Sequence, residues 1–153
     1  MLRKNANLPD EDHVMRYVGW NNLRRDGDDN DRVIGFLPEA FRRRPEEEVL
    51  SVNWLEFFPE PATRVRDCVW VLRKAMRARP KSAFAIGNVS KIKGTCYAHG
   101  AKIRILYEPE EGEPAHSAIR HLPRDDLMLL AALADDAFSE IVRNAEIPLQ
   151  PED

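Results

Sequence analysis

Apolar positions between residues 63 and 79 recur with a helical period. Val65, Cys68, Val69, Leu72, Ala75 and Met76 fall on one stripe, and Pro80 ends the pattern. Elsewhere the pattern shortens to runs rich in β-branched and aromatic residues, which predict strands at 13–20, 33–36, 49–58, 82–89, 101–107 and 115–122. Residues 26–31 (DGDDND) are an acidic turn cluster that predicts a hairpin or meander. Residues 38–41 suit one helical turn, and 42–48, with its run of Arg then Glu, a solvated connection.

Residues 90–100 read as a short helix closed by Gly100, so that 82–107 forms a β-α-β unit. Its two strands are expected to lie parallel in one sheet, with adjacency left open. A long helix is expected over 123–142, opened by Pro123, favoured by Asp125 and Asp126 at its positive end, and buried along Leu127, Leu130, Ala134, Ala137, Phe138 and Ile141. These elements predict an α+β protein: a single domain over 13–144 with a mixed sheet of about five strands and about three helices. The ends, 1–12 and 145–153, are expected to be flexible tails.

Composition narrows this picture only a little. A chain of 153 residues, 43% hydrophobic and 32% charged, is one ordinary domain. The longest apolar stretch, 127–134, falls well short of the ~20 residues of a membrane span, and the polar residues after Met1 are unlike a signal peptide. A cytoplasmic location is expected. Cys68 and Cys96, each inside a helical pattern, suit a reducing compartment better than a disulfide framework.

The net charge of −3 conceals an uneven distribution. Between Arg64 and Lys81 there are seven basic side chains and one acid. At 100° per residue Arg66, Arg73 and Arg77 share a line, with Trp70 beside them and Lys74 close behind. Such a stripe suits an acidic protein surface, or nucleic-acid phosphates with Trp70 stacked on a base. The plainer account makes the arginines solvating charges and cation-π neighbours of a half-buried Trp70. A small binding or accessory protein working through this basic helix is therefore the first functional expectation, with an acidic protein preferred over nucleic acid and no membrane partner.

Metal and phosphate motifs fail on spacing. The Asp26-x-Asp28-x-Asn30 start of a calcium loop has Asp31 where Gly is needed and Leu37 where Glu is needed. Cys96-x-x-His99 offers two ligands where zinc takes four, so no metal is expected. Gly87 to Lys91 lacks the spacing of a phosphate-binding loop.

The second constellation gathers polar residues on apolar strands: His13 and Arg16 on the first, Ser51, Asn53 and Glu56 around the third, and His116 late in the chain. A histidine near neutral pKa can serve as acid or base on a phosphoester or glycosidic bond, with Arg16 holding an anionic group. Arg16, Phe41, Glu47 or Glu48, Leu50-Ser51-Val52 and Pro114-Ala115-His116-Ser117-Ala118-Ile119 resemble the pattern of a set of small uncharacterised bacterial proteins, which implies no activity. The early His/Arg strand followed by a Leu-Ser strand also resembles the ADP-ribosyltransferase-like folds. That resemblance implies an NAD cleft and a nucleotide-like substrate, although a late catalytic Glu in strand context is missing. Apart from NAD under this resemblance, no cofactor is expected. The alternative expectation is thus a small enzyme using His13, Arg16, Ser51 and His116. It requires those residues to meet in one cleft, with His116 partly accessible.

Overall fold

The computed structural model describes residues 1–152. Eight strands run in chain order: β1 (His13–Val18), β2 (Leu23–Arg25), β3 (Val33–Phe36), β4 (Val49–Trp54), β5 (Ala83–Asn88), β6 (Arg104–Tyr107), β7 (His116–Arg120) and β8 (Glu140–Arg143). Three α-helices accompany them, α1 (Arg64–Ala75), α2 (Val89–Ala98) and α3 (Leu127–Ala132). Six strands form one sheet in the order β6-β7-β4-β1-β5-β8, with every neighbouring pair antiparallel. β2 and β3 form a separate ribbon across the acidic 26–31 turn, where Asp26 and Asp29 accept the N–H groups of Asp28 and Asp31.

The result is the expected single α+β domain. Following the antiparallel pairings from β5 across to β6 shows that these two strands point the same way, as the β-α-β reading required. They are not neighbours, however, because β1, β4 and β7 lie between them.

Alternation along the strands sends residues to two cores. On one face Cys68, Val69 and Leu72 of α1 pack with Met15, Phe84 and Ile86. On the other, Ile92 and Cys96 of α2 and Leu129 and Leu130 of α3 pack with Val14, Leu50, Val52 and Ile119. Each fully buried side chain of this kind stabilises the fold by roughly 1.5–3 kcal/mol. Gly100, at φ +80°, closes α2 as the sequence predicted.

The long helix over 123–142 is a correction. It starts at Leu127, with the Asp126 carboxylate accepting from the Leu129 N–H at 3.1 Å. After Ala132 the chain makes one wide π turn over Leu133–Ala137, and then becomes β8, which sets Ile141 opposite Ala85 and Val142 opposite Phe84. Leu130, Ala134, Ala137 and Phe138 are buried as expected, but Leu127 is exposed. β-branched Ile141 and Val142 satisfy both periods. The unpaired edge of β5 decides in favour of the strand. Gly87 of β5 makes the turn possible, since a Cβ there would stand 2.9 Å from the Ala137 carbonyl oxygen.

Both expected tails also need correcting. Residues 5–8 run beside β6: Asn5 N–H donates to the Tyr107 carbonyl, Tyr107 N–H to that of Ala6, and Leu8 N–H to that of Ile105, with Leu8 buried. Residues 144–148 are held against α1 by side chains described below.

Candidate functional site

On β4, Leu50, Val52 and Trp54 enter the core beneath α2 and α3, so Ser51 and Asn53 stand on the face that α1 covers only in part. The register of β4 with β7 puts Ser51 opposite Ala118 and Asn53 opposite His116. Ser51 and His116 are therefore diagonal neighbours on one face, and small Ala118 leaves the space between them open. The His116 Nε2 to Ser51 Oγ distance is 3.1 Å.

The other ring nitrogen decides the direction of that bond. His116 Nδ1 lies 2.8 Å from the carbonyl oxygen of Glu108, which can only accept, so Nδ1 carries the hydrogen. In the neutral ring Nε2 then holds a lone pair and accepts from the Ser51 hydroxyl. Glu110 places a carboxylate oxygen 3.6 Å from the same Nδ1. Arg120 donates through Nε at 2.6 Å and Nη2 at 2.7 Å to the two carboxylate oxygens of Glu108, a fork that holds the Glu108 carboxyl below its ordinary value and fixes the segment whose carbonyl orients the ring.

Arg16 stands beside this pair for a topological reason. β1 and β4 pair only at Val14–Trp54 and Met15–Asn53. Beyond that point the Arg16 guanidinium bridges the strands, donating to the carbonyls of Ala40 and Ser51 at 2.8 Å each. Burial pulls its pKa down to about 10, against the opposing pull of Glu47. It therefore stays positive at neutral pH, bonded to the backbone of Ser51 itself.

Ser51 and Arg16 line a cleft of about 310 Å³, walled by Arg43, Arg44, Glu47 and Glu113 and by Leu72 and Met76 from the α1 side. His116 is 6% exposed and does not line the cleft, so it lies behind the serine. Only Arg16 and Ser51 reach the cleft itself, so the partial accessibility expected of His116 is not met, although three of the four residues grouped from sequence come together. His13 does not: its Nδ1 and backbone N–H both lie 2.8 Å from the Glu56 carboxylate, which Arg64 also approaches. Sequence reasoning missed Arg43, Arg44, Glu47 and Glu113 as cleft walls. The pattern of 42–48 was that of a solvated connection, and nothing local in it shows that the connection passes over β4.

The basic stripe of α1 is turned inward at its centre. Arg73 donates to the side-chain and main-chain oxygens of Asn144 and to the carbonyls of Ile147 and Pro148, and Trp70 Nε1 donates to the Pro148 carbonyl at 2.8 Å. Arg66 lies over the Trp70 ring and pairs with Asp67. Arg73 was expected to be free for a partner. Instead it satisfies four oxygens of the chain's own C-terminal segment. Lys74 and Arg77 are exposed and unpaired among the described residues.

No protein-family model matches the chain, and no curated protein and no solved structure matches it significantly.

Proposed function

We propose that the protein is a small enzyme that cleaves an anionic ester, a phosphoester being the best fit, with Ser51 as nucleophile and His116 as its base. The observation that carries this reading is the hydrogen bond from Ser51 Oγ to His116 Nε2 with the tautomer fixed by the Glu108 carbonyl, the geometry by which a hydroxyl is activated. Arg16, Arg43 and Arg44 supply the positive charge that a phosphoryl group needs as its equatorial oxygens gain charge.

In the chemistry this implies, Ser51 Oγ attacks phosphorus while its proton passes to Nε2. The bond to the leaving oxygen breaks, that oxygen takes a proton from the solvent of the open cleft, and the imidazolium stays behind the phosphoserine. Water then attacks the phosphoserine and gives up its proton to the cleft solvent, while the imidazolium returns its proton to the departing Ser51 Oγ. Neither the nucleotide nature of the substrate nor any use of NAD is supported by a feature of the cleft.

Hydrolysis of a panel of small aryl and alkyl phosphoesters tests the reading. Ser51→Ala and His116→Asn should each lower kcat by about a hundredfold or more, the usual scale for losing a positioned base or nucleophile. Turnover that survives both substitutions would refute it. The accessory-protein reading keeps a narrower footing on Lys74 and Arg77, the exposed cations of the α1 stripe left for an acidic partner.

A further inference from the structure

A second groove lies where α2 meets the β6 edge, on the face of the sheet opposite the one that carries Ser51. It has a volume of about 890 Å³. Its floor is apolar, formed by Leu8, Ala101 and Ile103, all buried. Three cationic side chains, Lys93, Lys102 and Arg104, line it against one acid, Asp10, in a chain of net charge −3. Lys93 is tied to Asp10 at 2.6 Å, but Lys102 and Arg104 are exposed and have no partner among the described residues.

Two further features point to a planar ligand. Tyr97 projects into the groove mouth with 76% of its surface exposed, an unusual position for a large aromatic ring. One turn earlier on the same helical face stands Gly94, in the interior of α2, where glycine is a poor helix former. A Cβ at Gly94 would meet nothing within 4 Å, so no packing contact requires the glycine. What its absence of a side chain provides is an open slot beside the Tyr97 ring.

We propose that this groove binds single-stranded nucleic acid, one base stacking on Tyr97 in the slot above Gly94 and the backbone phosphates lying on Lys102 and Arg104. A single strand fits better than a duplex because only an unpaired base can enter the slot, and because the acidic remainder of the surface repels a long duplex.

The test is the fluorescence anisotropy of a labelled oligothymidylate titrated with the full chain at low ionic strength. Wild type should bind, with affinity that falls as salt is added. Tyr97→Ala should weaken binding by about tenfold or more, the scale of one lost base stack. Gly94→Leu should do the same by filling the slot, while helix content stays intact because leucine is the better helix former. Lys102→Glu with Arg104→Glu should abolish binding. The proposal is overturned if wild type leaves the anisotropy unchanged, or if Tyr97→Ala and Gly94→Leu bind as wild type does, which would make the patch a charge effect open to any polyanion. Displacement of the oligomer by thymidine monophosphate at a similar concentration would also overturn it, in favour of a free nucleotide.

Discussion

The cleft at Ser51 and the basic face of α1 look alike as sequence, each a set of polar side chains set among apolar ones, yet they end in opposite states. At the cleft, a histidine behind its wall and an arginine in it direct their bonds to backbone carbonyls and to Ser51, leaving the serine hydroxyl oriented and facing an open space. On α1, Arg73 and Trp70 spend theirs on the C-terminal segment, and the centre of the stripe is closed. A polar residue becomes available for chemistry when its neighbours satisfy it without covering it. Where the chain itself supplies the acceptors, the same residue types become structural.

The largest effect expected from this contrast is on catalysis. Ser51→Ala should remove most phosphoester turnover and barely alter the denaturation midpoint, His116→Asn should remove turnover at a cost of about 1–3 kcal/mol because the ring is buried and bonded at both nitrogens, and Arg73→Ala should leave turnover nearly unchanged. Equal losses of activity from substitutions in both regions would dissolve the distinction.

Next in size is stability. Arg73→Ala leaves the oxygens of Asn144, Ile147 and Pro148 without their donor and should cost about 2–3 kcal/mol in urea unfolding, the range for hydrogen bonds to a charged group. Amide exchange should quicken over residues 144–148. Lys74→Glu with Arg77→Glu, at exposed positions outside these contacts, should stay within about 0.5 kcal/mol of wild type.

A smaller effect concerns acid. The Glu108 carboxyl is depressed by its fork with Arg120, so the stability this pair adds is present at neutral pH, where Glu108 is ionised in both folded and unfolded chains. It is lost as pH falls below the ordinary glutamate value and through the lower folded one. Thermal melts of Arg120→Gln should accordingly show a shallower loss of stability across that acid window than wild type. An unchanged slope would mean that the fork contributes nothing.

How far the sequence foretold these two regions follows from how local each signal was. The stripe of α1, the 82–88 strand and the Gly100 stop were legible because period and punctuation lie within a dozen residues. Ser51 and His116 each stood out as polar residues on apolar strands. Their meeting depends on the β4–β7 register, a pairing across 65 positions that no local pattern encodes. His13 was grouped with them on the same grounds and went instead to Glu56, whose carboxylate is reached by the 3₁₀ turn Leu55–Phe57 after β4. The strand β8 was hidden by the double fit of Ile141 and Val142, which satisfy a helical stripe and a sheet edge equally. The inward turn of Arg73 could not be read at all, because its acceptors are main-chain carbonyls and an asparagine brought back from beyond β8.

The most direct measurement of the central claim is covalent trapping with a fluorophosphonate, followed by peptide mass mapping. An activated Ser51 should take up a single phosphonyl group, and the adduct should disappear in His116→Asn while that variant keeps its fold. Labelling that falls on other serines, or that persists on Ser51 without the histidine, would contradict the pairing of these two residues as nucleophile and base.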